Sequence, residues 1–351
     1  MWQQVVGHNR VLSLLQHGLK QKSLAHAYLL VGPPHVGKMT LALELAKALN
    51  CEAAEPPCNN CTSCQKIALG KHADVQIIGV PQNENSTEAK PRVEISIDQI
   101  RGIQHSANLP PFEGKHKVFI INGAELMSNE AANCLLKTLE EPESRVLFIL
   151  LTTNDQLLPI TVVSRCQRLE LPPLAASEVE MALTSKWNVE PDRAKLLSRL
   201  CRGCLGWAVM AVSNDSLLQQ RKENLDKLLD ITNVDYEARF AYANQLATQF
   251  SRNREIILEL LGLWQEWWRD LLLAKLGLSE AIVNIDISGT IVAQAKGYSL
   301  TQVRNFIDDI QTAREQLKQN ANSRLVLEVL MLNMPRKEGH SKVFANALNH
   351  G

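Results

Sequence analysis

The chain has 351 residues, 45% of them hydrophobic and 21% charged, which is enough for two or three globular domains. Its 37 basic and 37 acidic residues give a net charge of zero, which disfavours a stand-alone nucleic-acid-binding protein because such binding depends on basic residues. The N-terminus has no signal-peptide pattern and no apolar run is as long as a membrane span, so we expect a soluble, cytoplasmic protein with no membrane partner.

Residues 1–172 alternate short apolar runs with helical patterns, which predicts a largely parallel β-sheet covered by helices. The predicted strands are Ala27–Val31, Val75–Val80, Lys117–Ile121 and Val146–Leu151. A helix is predicted between the last two strands, over SNEAANCLLKTLEEP, and it ends at Pro142. The polar stretch at residues 81–92 is predicted to be a loop within this domain.

The first predicted strand leads into Gly32-Pro-Pro-His-Val-Gly37-Lys38, the GxxxxGK core of a phosphate-binding loop. The glycines let backbone N–H groups face a phosphate, and the lysine reaches its terminal oxygens. A chance match is the alternative, but a strand before and a helix after the loop are the context that this motif requires. The next residue is Met39, whose thioether cannot replace the hydroxyl that normally binds Mg²⁺. Nucleotide binding at Gly32, Gly37 and Lys38 is therefore expected to be weak or vestigial.

Four clustered cysteines follow the helix predicted after this loop: Cys51, Cys58, Cys61 and Cys64. Thiols at this spacing can close around one Zn²⁺ with tetrahedral geometry, and a site with no open position is structural. Scattered free thiols or a disulfide are the alternatives, and a reducing compartment disfavours the disulfide. Cys201 and Cys204 form a separate C-x-x-C, for which packing is the favoured interpretation.

The third predicted strand is followed by Asn122 and Gly123, at positions where P-loop ATPases carry an Asp that holds Mg²⁺ and a Glu that polarises water. Glu125 is interpreted as a solvent-facing charge at a helix start. Taken alone, the segment is a strand followed by a turn. Together with the phosphate-binding loop, it predicts a second defect in one ATPase site.

Arg165 follows the fourth predicted strand, in the sequence Ser164-Arg165-Cys166. A guanidinium at a subunit edge can stabilise γ-phosphate charge in a neighbouring chain, whereas the simpler interpretation is a surface charge.

From residue 173 to Met334 the pattern is helical, with essentially no strand signal. We predict a small helical domain at residues 173–213 and an all-α domain at residues 214–351, with a loose tail after Pro335. Trp264, Trp267 and Trp268 lie near one helix face, where core packing is favoured over a nucleic-acid platform because few basic residues are adjacent.

Together these residues resemble the clamp-loader branch of the AAA+ ATPases, over most of the chain. The likeness rests on QVVGH, GPPHVGK, the cysteine module after ALNC, EAANCLLKTLEEP and LPITVVSRCQRLEL, and the last two segments are the most specific. It implies an α/β P-loop AAA+ domain at residues 1–172 with an inserted four-cysteine zinc module. A helical lid at residues 173–213 and a helical collar at residues 214–351, which joins subunits, complete the implied architecture.

Within this family the chain is more similar to the delta-prime branch than to the active tau/gamma branch, which shares the cysteine module and the SRC segment. Active members carry a hydroxyl at the position of Met39, acids at Asn122 and Gly123, and a lid arginine at Gly206. Thr152–Asn154 matches the segment that senses γ-phosphate in active members and is expected to be vestigial. The chain is also short for a tau subunit, which carries extra C-terminal domains.

The resemblance implies a stator subunit of the DNA polymerase III clamp loader, in a hetero-pentamer with tau/gamma and delta subunits. The complex would load the beta sliding clamp onto primer-template DNA as part of the polymerase holoenzyme. Tau/gamma would bind and hydrolyse the ATP, Arg165 would act in trans as an arginine finger, and Zn²⁺ would be structural. Two alternatives stay open: an active tau/gamma-type ATPase, and an unrelated zinc-containing DNA-binding protein.

Overall fold

The computed structural model describes residue 2, residues 4–80 and residues 94–337. The loop predicted at residues 81–92 and the tail beyond residue 337 lie outside these residues. The chain divides into two compact units, the first of Met1–Ala194 with Cys201–Val209 and the second of Lys195–Leu200 with Met210–Gly351. The division into three domains stays a prediction.

The first unit is built on a sheet of five parallel strands in the order β2-β3-β4-β1-β5. The strands are β1 Ala27–Val31, β2 Val75–Ile78, β3 Lys117–Asn122, β4 Val146–Thr152 and β5 Gln167–Glu170. The four predicted strands are confirmed, except that β2 ends at Ile78 rather than Val80. We did not predict β5, because this edge strand has the sequence QRLE and buries only Leu169.

Helices cover both faces of the sheet, so successive residues of β1 enter two different cores. The helices of this part of the chain are α1 Asn9–Gln21, α2 Lys38–Asn50, α3 Thr62–Ala68, α4 Ile97–Ala107, α5 Asn129–Glu140, α6 Ile160–Val163, α7 Ala176–Trp187, α8 Pro191–Leu200 and α9 Leu205–Ser213. Leu30 packs in one core with Leu41 of α2. Leu29 packs in the other core with Ile103 of α4 and Leu135 of α5. The predicted α/β class is confirmed.

The second unit is all-helical across its described residues, as predicted. Its helices are α10 Asp215–Thr232, α11 Tyr236–Arg252, α12 Arg254–Lys275, α13 Ser288–Ala295, α14 Leu300–Lys318 and α15 Ser323–Asn333. Trp264, Trp267 and Trp268 are fully buried, and the Trp268 ring lies edge-on to Tyr298 and Phe306 at 5.1 and 5.0 Å. The prediction that they pack in the core is confirmed. Within the described ranges, no helix has the length and apolar character needed to cross a membrane.

A buried arginine joins two helix ends in this second unit. Arg239 of α11 has no exposed surface, and it donates to the carbonyls of Ile231 and Thr232 at the end of α10 at 3.2 and 2.9 Å. It also donates to the carbonyls of Met331 and Met334 at the end of α15, at 3.4 and 2.7 Å. The last carbonyls of a helix have no partner within the helix, so one guanidinium satisfies two helix ends at once.

Arg239→Met is therefore expected to lower the free energy of unfolding by about 3 kcal/mol, because it leaves buried carbonyls without donors. Urea unfolding followed by tryptophan fluorescence measures the effect, since three of the six tryptophans lie in the core of the second unit. Arg252→Met, at an exposed position of the same helix, serves as the control. Equal midpoints for the two variants would contradict the proposed role of Arg239.

Candidate functional site

The carboxyl ends of parallel strands meet at one edge of the sheet, and that edge carries the predicted nucleotide site. Gly32 directly follows β1, and its N–H donates to the carbonyl of Thr152 at the end of β4, at 3.2 Å. Gly123 follows β3 and donates to the Leu151 carbonyl at 3.1 Å. The structure therefore brings the phosphate-binding loop, the end of β3 and the Thr152–Asn154 segment together.

The phosphate-binding loop has the backbone that its sequence predicts. Gly37 immediately precedes α2 and has a φ of 112°, which a residue with a Cβ rarely adopts. The side chain of Lys38 is 9% exposed, and its Nζ donates to the carbonyls of Gly32 and Pro33 at 2.5 and 2.8 Å. Burial lowers the pKa of Lys38, and the charge of Glu125 acts in the opposite direction. The cation of this loop is therefore held by the loop's own carbonyls.

Side chains suited to Mg²⁺ are missing where an active P-loop ATPase places them. Met39 is partly buried and packs against the core that includes Leu41, and Asn122 is exposed at the end of β3. Gly123 has a φ of 74°, so this position serves a turn and carries no side chain that could orient water.

Glu125 lies at a helix start, as expected, but its solvent-facing orientation was predicted wrongly. Its Oε1 accepts hydrogen bonds from the backbone N–H and the hydroxyl of Thr153, at 3.0 and 2.6 Å, and its Oε2 is buried. The sequence has no signal for this pairing, since helix α5 and strand β4 separate the two residues. The hydroxyl of Thr153, in the segment predicted to be a vestigial γ-phosphate sensor, is thus bound to a carboxylate of the same chain.

The segment around Gly206 contacts the phosphate-binding loop through its backbone. Helix α9 begins at Leu205, and the Gly206 N–H donates to the carbonyl of His35 at 2.8 Å. A Cβ on Gly206 would lie 2.8 Å from the same oxygen, a distance that real Cβ atoms essentially never show. Without a shift of the backbone, a residue with a side chain has no room at this position.

The second C-x-x-C forms the turn that precedes α9. The N–H of Cys204 donates to the carbonyl of Cys201 at 2.9 Å, and neither cysteine forms a disulfide bond. Cys201 is buried, and burial raises the pKa of its thiol to about 11. These features agree with the packing interpretation.

The four cysteines of the predicted metal site lie together, with their Sγ atoms all within 4.8 Å of one another. A tetrahedral Zn²⁺ with Zn–S bonds of about 2.3 Å needs S–S separations of roughly 3.8 Å, so a small contraction suffices. Backbone N–H groups already point at two of the sulfurs, from Cys58 to Cys51 at 3.4 Å and from Cys61 to Cys58 at 3.3 Å. The donor set and its arrangement fit a structural metal ion.

The protonation of the thiols makes metal binding dependent on pH. Backbone N–H groups of Asn60 and Cys61 lower the pKa of Cys58 to about 6, while burial raises the pKa of Cys64 to about 12. Metal binds the thiolate and must displace the Cys64 proton, so acid opposes binding.

Arg165 lies apart from these two sites, just after α6. Its Nη1 donates to the carbonyl of Thr161 at 2.8 Å and its Nη2 to Oε1 of Glu140 at 2.5 Å. The side chain is 34% exposed, and two large apolar residues close to it in sequence are well exposed, Leu157 at 61% and Ile160 at 77%. An arginine beside exposed apolar residues is a surface suited to contact with another chain.

Comparison with known proteins identifies the family. The family described as "DNA polymerase III, delta subunit" matches residues 7–175, and "DNA polymerase III, delta subunit, C terminal" matches residues 215–335. The DNA polymerase III subunit delta' of Bacillus subtilis is 30% identical over 327 residues, which cover 92% of this chain and 94% of that protein. The chain is a delta-prime-like member of the DNA polymerase III clamp-loader subunit family.

Other members of this clamp-loader family are also similar. The DNA polymerase III subunit tau of B. subtilis is 28% identical over 94% of this chain, which spans 61% of the length of that tau protein. Among solved structures, a DNA polymerase III gamma subunit-related protein of Thermotoga maritima covers 92% of this chain and 99% of its own, at 18% identity and a TM-score of 0.45.

We expect metal analysis of this clamp-loader subunit to find close to one zinc ion per chain. Cys61→Ser should release the ion and lower the Tm by on the order of 5 °C or more, because a structural metal contributes its binding energy to folding. Zinc should also be lost as the pH falls, since protons compete for the thiolates. Cys134→Ser, outside the cluster, should keep the zinc; a metal-free chain of full stability would contradict the assignment.

Proposed function

We propose that this chain is the delta-prime stator subunit of a DNA polymerase III clamp loader. In this role it forms a hetero-pentamer with tau/gamma and delta subunits and helps to load the beta sliding clamp onto primed DNA. It is a rigid support against which the delta subunit moves, and it donates Arg165 to the ATP site of an adjacent tau/gamma subunit. Because the complex acts on chromosomal DNA, the chain works in the cytoplasm.

The observation that carries the proposal is the contrast between an intact P-loop backbone and a nucleotide site without its chemistry. Lys38 is held by its own loop, Met39 and Asn122 offer no anionic or hydroxyl ligand, and Gly206 contacts the loop through its backbone. Phosphoryl transfer depends almost entirely on positioning and charge stabilisation, so such a site is suited to a structural role. ATP is therefore bound and hydrolysed by partner subunits.

The surface around Arg165 supports an action in trans. Its guanidinium is partly exposed, and Leu157 and Ile160 provide exposed apolar area near it in sequence. A planar guanidinium that is always charged is suited to γ-phosphate, and a contact from a neighbour can stabilise the transition state.

The remaining parts of the proposal follow the predicted domains. Residues 173–213 form the lid, residues 214–351 form the collar that joins the subunits, and the cysteine module holds one structural Zn²⁺. The buried tryptophan core and the Arg239 contacts make the second unit suitable as a stable collar.

The isolated chain is expected to hydrolyse no ATP above background, because ligands for Mg²⁺ and a group to orient water are both missing. A steady-state phosphate-release assay on the purified chain, with Lys38→Ala as the control, tests this expectation. Turnover that disappears in Lys38→Ala would favour the alternative, an active tau/gamma-type ATPase. Weak nucleotide binding without turnover is compatible with the proposal.

Arg165→Ala should leave assembly with tau/gamma and delta intact, since one exposed side chain contributes little to a large interface. It should lower the DNA- and clamp-stimulated ATPase rate of the complex by up to the share of one active site, because arginine fingers contribute on the order of a thousandfold at the site they serve. Arg165→Lys should not restore the rate, as lysine lacks the planar fork.

The control for this experiment is Arg145→Ala, at an exposed arginine just before β4. The complex with Arg145→Ala should hydrolyse ATP at the rate of the parent complex. Equal rates for the parent and Arg165→Ala complexes would show that Arg165 is only a surface charge.

A further inference from the structure

The guanidinium of Arg165 is held from two sides by groups of its own chain. Glu140 is the last residue of α5, and its Oε1 accepts from Nη2 at 2.5 Å. The carbonyl of Thr161 in α6 accepts from Nη1 at 2.8 Å. Two acceptors on two different nitrogens define both the position and the plane of the guanidinium.

We propose that Glu140 is a positioning residue that orients Arg165 toward the ATP of the neighbouring subunit. This inference rests on the proposed function of Arg165 and names the residue that prepares it. An arginine side chain has many rotamers in solution, and holding one of them before the partner arrives avoids losing that freedom at the moment of contact. A small misplacement of a group that acts in the transition state is sufficient to slow the reaction strongly.

The two contacts leave donors for a phosphate. A guanidinium has five N–H donors, and the hydrogen bonds to Glu140 and Thr161 use two of them. With 34% of the Arg165 side chain exposed, the remaining edge of the guanidinium is accessible to an anion of another chain. Glu140 can therefore stay bound to Arg165 while Arg165 binds a γ-phosphate.

The ion pair is not needed to hold the two helices together. Glu140 is 49% exposed, and exposed ion pairs contribute little to stability. Apolar packing holds α5 and α6 together instead, because Leu139 of α5 and Val162 of α6 are buried in one core. Removing the carboxylate should thus change the orientation of Arg165 and leave the fold intact.

The test measures the ATPase activity of the complex assembled from this chain with its tau/gamma and delta partners, with DNA and clamp present. The quantity of interest is the Arg165-dependent rate, which is the parent rate minus the Arg165→Ala rate. Glu140→Ala should reduce this rate about tenfold through kcat, with the KM for ATP unchanged, because the contact acts in the transition state. Glu140→Gln keeps an oxygen acceptor and should remain within about twofold of the parent.

Two controls separate positioning from structure. Glu141→Ala removes the neighbouring exposed carboxylate and should keep the full Arg165-dependent rate. In an Arg165→Ala background, Glu140→Ala should cause no further loss, since the two residues act as a unit. The Tm and the assembly of the Glu140→Ala chain should match those of the parent.

The possible failures are distinguishable. If Arg165→Ala leaves the rate of the complex unchanged, both the proposed function of Arg165 and the role of Glu140 are overturned. If Arg165→Ala lowers the rate and Glu140→Ala does not, the positioning role is wrong and the proposed function stands. A loss that persists in the Arg165→Ala background, or that comes with a lower Tm, assigns Glu140 a purely structural role.

Discussion

The parallel sheet of the first unit, buried on both faces, is the constraint on which the rest of that unit depends. Because helices cover both faces, β1 and β4 must be apolar along their whole length, and polar groups are confined to the strand ends. The carboxyl ends of β1, β3 and β4 therefore carry the loop, Asn122 and Thr152–Asn154 at one edge. This arrangement is required for folding and does not depend on whether the edge performs chemistry.

The phosphate-binding loop can therefore keep its backbone conformation without the side chains that active P-loop ATPases use for hydrolysis. Gly37 is required by its backbone conformation, and the Gly206 N–H satisfies a carbonyl of the loop. Lys38 donates to backbone carbonyls and Oε1 of Glu125 accepts from Thr153, so these charged groups have partners within the chain. The contacts that hold this edge together are internal to the chain.

Two features beyond this edge carry the interactions that we assign to the chain. The cysteine module is a compact set of four sulfurs whose N–H···S contacts prepare it for metal. Arg165 lies just after α6 and is held by Glu140 at the end of α5 and by the Thr161 carbonyl of α6, so its support comes from two helices of one scaffold. Rigid elements position a charged group better than a loose loop can.

The sequence by itself determined the α/β class, the all-helical second half, the phosphate-binding loop and the clustering of the cysteines. These follow from local periodicity, from glycine conformation and from close spacing, all of which act over a few residues. Only the tertiary structure decided the edge strand β5, the Thr153 contact of Glu125, the approach of Gly206 to His35 and the pairing of Arg165 with Glu140. Such contacts join residues far apart in the chain. The local sequence around each residue does not depend on which distant residue it contacts, so the local sequence cannot predict the contact.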